Sequence, residues 1–316
     1  MTLRVITVFG GSGFVGRHLV QALARRGYVV RVATRDLESA LITKTAGTVG
    51  QIVPMHCTPW DAASVAGVIA GADAVINLIG ILYEKGKNTF GRTHVKIPEM
   101  IARACYQAGI SNFIHLSALG ADINSESHYA QSKAKGESAV RAALPDTVIL
   151  RPSIIFGPED NFFNRFARMA VISPLLPLIG GGATRFQPVY VADVAQSIMT
   201  ILENPVTHGQ TYELGGPAVY TFRALMEFML QQIGKSCLLM NMPFETAEIL
   251  GRMMQIMHSP MLTVDQVKLL KRDNVVAPRT LNLNSLGITP TAVEAIVPAY
   301  LSAYRSGGRF SLVEAA

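Results

Sequence analysis

Residues 4–16, RVITVFGGSGFVG, contain the pattern that decides the fold. The run 4–9 is apolar and β-branched, which predicts a buried strand, and FVGRHLVQALARRG after it has helical periodicity and ends at Gly27. Between them, glycines at positions 10, 13 and 16 give a GxxGxxG spacing. Such a spacing is informative only where it ends a strand and opens a helix, as it does here. The stretch therefore predicts the first turn of a strand–helix–strand unit.

This glycine turn has the composition of a site for the pyrophosphate of a dinucleotide. Gly10 permits the tight turn, Gly13 lets the backbone approach the phosphates, and Gly16 lets the helix pack closely on the sheet. Backbone N–H groups at the helix start, with the positive end of the helix dipole, then hold the anion. A glycine-rich turn without a ligand is the alternative, and the strand–turn–helix context disfavours it. The predicted contacts are Gly10, Ser12, Gly13, Phe14, Val15 and Gly16.

The end of the second predicted strand bears on which dinucleotide is bound. A carboxylate there would bind a ribose 2′-hydroxyl and repel a 2′-phosphate. The chain has Thr34 at that position, followed by Arg35, whose guanidinium is suited to clamp a phosphate. This favours NADP(H), while the neighbouring Asp36 leaves NAD(H) open.

Strands and helices alternate through the first half of the chain. Strand-like runs at 28–35, 51–57, 73–80, 112–118 and 146–157 are separated by helical patterns, including one at 94–109 and one at 129–143. This predicts an α/β fold, a Rossmann-like doubly wound parallel sheet with helices on both faces. We expect a dinucleotide-binding domain at 1–157, to which 186–216 returns with a strand, a helix and a last strand at 209–216. Residues 158–185 and 217–316 are expected to form a smaller, mainly helical domain for a substrate or partner, with 169–184 as an irregular loop.

Composition excludes several classes of function. The net charge of +6 comes from arginines spread along the chain, whereas nucleic-acid binding requires clustered ones. No apolar run predicts a membrane span, and the first eleven residues predict no signal peptide. Three scattered cysteines fit a reducing compartment, so we expect a cytoplasmic protein. His258 and the other histidines lack paired spacing, so no metal site is predicted.

A second motif lies at 127–133, SHYAQSK, in which Tyr129 and Lys133 are one helical turn apart. Any such pair shares a helix face, so alone it indicates only a solvated surface. A tyrosine has an ordinary pKa of about 10, and a neighbouring ammonium group would lower it towards the range useful for proton transfer.

Taken together, the motifs resemble the short-chain dehydrogenase/reductase superfamily, in its extended and atypical branch. They are the glycine turn, NLIG at 77–80, a serine ending the fifth strand, YxxxK, and RPSIIFGP at 151–158. The resemblance implies that Tyr129 is the general acid/base, that Ser117 orients the substrate oxygen, and that Lys133 binds the nicotinamide ribose. It further implies cofactor contacts for Leu78, Ile79, Gly80, Asp61, Pro152 and Ser153.

Within that superfamily the chain most resembles one atypical group, the NADPH-binding accessory subunit of respiratory complex I and its bacterial relatives. The segments THVKIPEMIARACYQAGISNFIHLSALGA and RPSIIFGPEDNFFNRFA carry this similarity, and MLTVDQVKLLKRDNVV extends it towards the C-terminus. The resemblance implies a protein that holds NADPH tightly in a structural or assembly role, linked to a respiratory complex or to ubiquinone metabolism. Catalysis on a small hydrophobic or quinone-like carbonyl stays open as the alternative.

Eight of the thirteen methionines lie between residues 226 and 261. Thioether side chains fill irregular cores and also suit adaptable binding surfaces. The default interpretation is that they belong to the core. The alternative is contact with a respiratory complex or with the inner face of a membrane, because EILGRMMQIMHSPML at 248–262 has few charges.

Overall fold

The computed structural model describes residues 4–255 and 260–308. Its strands are β1 (Val5–Phe9), β2 (Val29–Thr34), β3 (Ile52–His56), β4 (Ala74–Asn77), β5 (Phe113–Leu116), β6 (Val148–Pro152), β7 (Ile155–Phe156), β8 (Leu175–Ile179), β9 (Arg185–Phe186), β10 (Val189–Tyr190), β11 (Thr211–Leu214), β12 (Tyr220–Thr221) and β13 (Leu238–Met242).

The α-helices are α1 (Phe14–Arg25), α2 (Leu37–Leu41), α3 (Ala62–Ile69), α4 (Ile97–Gln107), α5 (His128–Ala143), α6 (Phe163–Ile172), α7 (Val191–Glu203), α8 (Phe222–Ile233), α9 (Phe244–Met254), α10 (Val264–Leu269) and α11 (Val293–Leu301). A π-helical turn, Gly91–Lys96, leads directly into α4. None of the helices in the described part of the chain has the length and apolarity that crossing a membrane requires.

The chain folds into two compact units, and each is assembled from separate segments of the sequence. The first runs to Pro152 and includes Val191–Leu214 and Ala277–Ile288. The second comprises, within the described residues, Ser153–Tyr190, Gly215–Val276 and the segment from Thr289 to Gly308. The segment 277–288 joins the first unit at the edge of its sheet, where the backbone N–H of Glu213 donates to the Leu281 carbonyl at 2.8 Å.

The first unit is built on a parallel sheet. Its order in the described residues is β11-β6-β5-β4-β1-β2-β3, and every neighbouring pair is parallel. The chain runs outward from β1 to β3 and then crosses to β4 on the other side of β1, which makes a topological switch point between β1 and β4. Ligands of open α/β sheets bind beyond the carboxyl ends of the strands at such a point. The predicted doubly wound α/β fold is confirmed.

Burial explains why these strands form. The residues of β4 and β5 are all buried, as expected for strands covered by helices on both faces. One face of the sheet packs under α3, α4 and α5, where Phe113, Ile101 and Val140 belong to one apolar cluster. Polar side chains lie at the carboxyl ends of β4 and β5, and they are described with the site below.

Two predicted strands of this unit differ from the structure. The run 73–80 is strand only to Asn77, and residues 78–80 leave the sheet. The run 146–157 is two strands rather than one, because β6 belongs to the large sheet whereas β7 pairs with β10 in the second unit. The strand expected to return to the large sheet before α7 is that same β10, so of the predicted segment 186–216 the first unit contains α7 and β11 but not β10.

The second unit contains more strand than the sequence pattern predicts. The expected loop 169–184 includes the end of α6 and strand β8, which pairs in parallel with β13. Pro177 lies within β8 and is tolerated because the β8–β13 sheet has only these two strands in the described residues. β12 and β13 follow β11, so the strand at 209–216 is not the last. An apolar cluster that includes Phe156, Phe163 and Phe222 forms the core of this unit.

Candidate functional site

The glycine turn between β1 and α1 has the geometry of a phosphate site. Gly10 has a left-handed φ of +79°, and Gly13 is the N-cap of α1. A Cβ atom added at Gly16 would clash with the Gly10 carbonyl oxygen, so α1 lies directly against the turn. Among the residues that the structure describes, no side chain caps the N-terminus of α1. Its first N–H groups therefore suit an external anion, and the residues present fit a dinucleotide pyrophosphate.

The segment after β4 lies against this turn. The N–H of Leu78 donates to the Phe9 carbonyl at 2.9 Å. A Cβ atom added at Gly10 would lie 3.2 Å from the backbone nitrogen of Ile79. Gly80 is next to α5, since a Cβ atom added there would lie 3.4 Å from Lys133 Nζ. The glycine turn, the segment 78–80 and Lys133, which are all predicted cofactor contacts, thus lie together at the switch point.

Arg35 and Asp36 follow β2 and are the two candidate residues for selectivity between NADP(H) and NAD(H). Asp36 is the N-cap of α2, and its Oδ1 accepts from the N–H groups of Glu38 at 3.0 Å and Ser39 at 3.4 Å. The Thr34 hydroxyl donates to the Asp36 carbonyl at 2.9 Å and fixes this turn. Arg35 is exposed, and its Nη1 donates to Asn88 Oδ1 at 3.4 Å.

Two further residues, Trp60 and Arg92, lie near Arg35 and were not predicted from the sequence. Trp60, the single tryptophan of the chain, follows β3. The guanidinium carbon of Arg92 lies 4.1 Å from the Trp60 ring centroid, and that of Arg35 lies 5.8 Å from it. Both distances are those of cation–π contacts. The result is a basic patch of two arginines around one indole ring, and Arg92 had no recognisable spacing to reveal it.

Asp61 is the N-cap of α3, where its Oδ2 accepts from the Ser64 N–H at 3.1 Å. The side chain is exposed and adjoins Trp60 in sequence. Capping accounts for this carboxylate, so its predicted adenine contact stays a prediction.

Tyr129 and Lys133 lie in the first two turns of α5. Ser127 caps this helix by accepting from the Ala130 N–H at 3.3 Å. Lys133 Nζ is 5.8 Å from the Tyr129 ring centroid and donates to the Leu116 carbonyl at 3.3 Å. Lys133 is buried, whereas Tyr129 is half-buried. The pair is therefore not part of a solvated helix surface. The buried ammonium group of Lys133 lies close to the partly accessible phenol ring of Tyr129.

The charge on Lys133 is set by its surroundings. Burial lowers the pKa of its amine to about 8, and the carboxylate of Glu137 opposes that change. A lysine with such a pKa still carries a proton for much of the time at neutral pH. It can therefore act as the hydrogen-bond donor and positive charge that the tyrosine requires.

His115 lies in β5 and Ser117 directly follows this strand, and both are buried. Within the described residues, Ser117 Oγ and His115 Nε2 have no hydrogen-bond partner. Ser117 is thus not bonded to Tyr129, and its substrate-orienting role stays a prediction. Asn77 Nδ2 lies 3.1 Å from His115 Nδ1, and burial together with the Lys133 charge lowers the pKa of His115 to about 3.

Pro152 ends β6, and its carbonyl accepts from the Leu119 N–H at 2.9 Å. Ser153 opens the second unit, where its hydroxyl donates to Asn274 Oδ1 at 2.6 Å. That hydroxyl is satisfied by protein, and the nicotinamide contact expected of Ser153 stays a prediction. His258 lies outside the described residues, which contain no group of three or more potential metal ligands.

Comparison with known proteins identifies the family. The model of the NAD dependent epimerase/dehydratase family matches residues 6–215. The chain belongs to this family. Its first unit is an NAD(P)-binding Rossmann fold of the extended short-chain dehydrogenase/reductase type.

Two curated relatives bear on function. The mitochondrial NADH dehydrogenase [ubiquinone] 1 alpha subcomplex subunit 9 of Arabidopsis thaliana is 38% identical, over 96% of this chain and 79% of its own length. The ceramide reductase of Caulobacter vibrioides is 33% identical, over 64% of this chain and 62% of its own length. The predicted resemblance to the complex I accessory subunit group is confirmed.

Among solved structures, the dTDP-glucose 4,6-dehydratase DesIV of Streptomyces venezuelae, with NAD and TYD bound, superposes with a TM-score of 0.72. It covers 95% of this chain and 96% of its own, at 20% identity. At that identity the likeness shows the fold alone.

Proposed function

We propose that this protein is an NADP(H)-binding accessory protein of a respiratory NADH–ubiquinone oxidoreductase or of ubiquinone metabolism. The observation that carries the proposal is the 38% identity to a plant subunit of that enzyme, which extends over 96% of the chain. A similarity confined to the glycine turn would indicate only nucleotide binding. This one also covers the second unit, which the family model leaves largely unmatched.

The basic patch around Trp60 supports NADP(H) over NAD(H). Arg35 and Arg92 bring two cations to the carboxyl end of the sheet beside β2, where the adenosine ribose of a Rossmann ligand lies. One oxygen of the Asp36 carboxylate, Oδ1, caps α2, so this side chain has a structural role that does not depend on a ribose hydroxyl. A 2′-phosphate would meet two guanidinium groups there.

Exposed apolar side chains of the second unit support a partner. Ile172 at the end of α6 is 86% exposed, and Leu238 on β13 and Met253 on α9 are each 66% exposed. Single exposed apolar residues are ordinary, but these come from three elements of one unit. We propose that they contact the respiratory complex, on the cytoplasmic side at the inner face of the membrane.

The first test is purification of the tagged chain from its own cells after mild detergent extraction. We expect oxidoreductase subunits to co-purify and the extracted nucleotide to be NADPH. In binding assays, Arg92→Gln should weaken NADPH by about tenfold, since a charge-assisted contact is worth about 1.5 kcal/mol, and leave NADH unchanged. The matched control is Arg103→Gln, an exposed arginine on α4 that pairs with Glu99 one turn away. A chain that purifies alone and without nucleotide would contradict the proposal.

A second candidate is a reductase of a hydrophobic or quinone-like ketone, which the Tyr129–Lys133 arrangement favours. A bound NADPH would supply hydride to the carbonyl carbon. Tyr129 would donate its phenolic proton to the carbonyl oxygen, and the Lys133 ammonium would stabilise the phenolate that results. One relative by sequence is named as a reductase, the ceramide reductase of Caulobacter vibrioides.

This second candidate is tested by following NADPH oxidation at 340 nm with long-chain ketones and quinones. We expect one class of acceptor to be reduced by the wild type, and Tyr129→Phe to lose turnover while it retains NADPH binding. The second candidate is wrong if NADPH stays reduced with every acceptor, or if Tyr129→Phe retains turnover. The role of Tyr129 and Lys133 would then be to bind the cofactor.

A further inference from the structure

His94 is a buried histidine that neither the sequence motifs nor the family match assign. It is 1% exposed and lies in the π-helical turn before α4. π-helical turns are rare and are frequent at functional sites. Both ring nitrogens are engaged: the Ile81 backbone nitrogen lies 3.1 Å from Nε2, and Ser132 Oγ lies 2.8 Å from Nδ1.

These contacts determine the tautomer. A backbone N–H can only donate, so Nε2 of His94 is the unprotonated acceptor and the proton is on Nδ1. Nδ1–H then donates to Ser132 Oγ, whose own hydroxyl donates to the Tyr129 carbonyl at 2.7 Å. The imidazole therefore connects the segment after β4 to the first turn of α5.

The ring also contacts Tyr129 directly. His94 and Tyr129 meet edge to face, with centroids 5.3 Å apart and planes at 90°. Phe90 stacks on His94 at 5.4 Å and touches the Tyr129 ring edge to face at 5.9 Å. Two aromatic rings from one short segment thus confine the tyrosine.

We propose that His94 is a positioning residue, which holds Tyr129 on α5 and the Ile79–Ile81 segment after β4 in the arrangement that binds the nicotinamide ribose. The proposal rests on the proposed function for the identity of the ligand. The contacts that His94 makes do not depend on that identity, because they are all with protein atoms.

A positioning role requires a histidine that keeps one protonation state. Burial lowers the pKa of His94 to about 2, and the charge of Lys133 on α5 adds to that effect, as does His115 on β5 where it is protonated. The ring therefore stays neutral throughout the physiological range. A histidine acting as an acid or base would instead titrate near 6.5.

Two substitutions at this position and one at Ser132 separate the contacts. His94→Gln can present an amide oxygen to the Ile81 N–H and so retains the link to the segment after β4. His94→Phe retains the ring against Phe90 and Tyr129 and removes both hydrogen bonds. Ser132→Ala removes the second hydrogen bond while leaving the imidazole in place.

The experiment combines hydrogen exchange of the ligand-free protein with NADPH titration. In His94→Phe we expect faster exchange in the peptide containing Ile81, and a dissociation constant for NADPH raised about tenfold by the loss of two hydrogen bonds. His94→Gln should retain wild-type exchange at Ile81 and bind NADPH within about threefold of the wild type, as expected for retention of one of the two bonds. The pH profiles of binding for wild type and His94→Gln should run parallel between pH 5 and 8.

The inference is overturned if exchange at Ile81 and NADPH affinity are unchanged in His94→Phe, or if the wild type shows an inflection near pH 6.5 that His94→Gln lacks. If His94→Phe does not fold, Ser132→Ala decides: we expect the loss of one hydrogen bond to weaken NADPH binding about threefold, and an unchanged affinity overturns the proposal. A wild type that binds no dinucleotide refutes the proposed function instead, and exchange at Ile81 still tests the link made by His94.

Discussion

Glu137 and Arg151 form a two-point ion pair one helical turn from Lys133. Arg151 Nε donates to one carboxylate oxygen at 2.9 Å, and Nη2 donates to the other at 2.6 Å. Glu137 is 6% exposed, so the pair joins α5 to β6 from inside the first unit. Because the Glu137 carboxylate also raises the pKa of Lys133, this ion pair connects the stability of the unit to the charge at the site.

We predict that Glu137→Gln lowers the free energy of unfolding by about 2 kcal/mol. Removal of one partner from a buried pair costs about 3–5 kcal/mol, and the figure is reduced here because Glu213 lies 3.7 Å from Arg151 and retains part of the attraction. Urea denaturation at pH 7 measures it. Glu99→Gln is the control, since its pair with Arg103 is exposed and is worth at most about 0.5 kcal/mol. Equal losses in the two variants would contradict the prediction.

The buried histidines predict a loss of stability in acid. His115 has its pKa lowered from 6.5 to about 3, and in the unfolded chain it returns to the ordinary value. Between these pH values the unfolded state binds more protons, so the free energy of unfolding falls as the pH drops from about 6.5 towards 3. The slope of stability against pH should be shallower in His115→Gln, measured by urea titrations from pH 7 to 4. The same slope in wild type and variant would show that His115 does not carry this effect.

The sequence predicts the first half of the site because local chemistry specifies it. Gly10 and Gly16 must be glycine for reasons of φ and of clash, and such requirements can be read from a strand–turn–helix pattern. Tyr129 and Lys133 share a helix face through their spacing alone. Contacts of this kind depend on few residues, all near one another in the chain.

The other half depends on contacts between distant segments. Arg92 meets Trp60, and His94 meets both Ile81 and Ser132, across many residues of sequence, and both Arg92 and His94 lie in the π-helical turn just before α4. The pattern at 94–109 predicts one helix and gives no sign of that turn. Strand β8 was missed for a related reason: prolines and glycines in 169–184 mark a loop, whereas pairing with β13 satisfies the backbone.

We predict opposite effects for two glycine-to-alanine substitutions in helices. In Gly16→Ala the new methyl group meets the backbone of Gly10 and Gly11, so α1 must move off the turn. We expect the loss of dinucleotide binding and of about 1–3 kcal/mol, the cost of forcing an extra methyl into a packed site. Gly67 in α3 has open space around its Cβ position, so Gly67→Ala should stabilise by about 0.5–1 kcal/mol. Thermal unfolding and NADPH titration of both variants test this, and wild-type binding by Gly16→Ala would refute the close approach.

Asp36 offers a test of cofactor selectivity that leaves the fold intact. Asp36→Ser retains an oxygen to cap α2 and removes a negative charge next to Arg35, so NADPH should bind about two- to fivefold more tightly, as expected for one exposed charge. NADH should gain nothing, and the difference should shrink at high salt because screening weakens the interaction. The control Asp36→Ala removes the same charge and also the cap, at a cost of about 1 kcal/mol in stability. If Asp36→Ser instead weakens NADH selectively and leaves NADPH unchanged, the carboxylate binds a ribose hydroxyl and the preferred ligand is NAD(H).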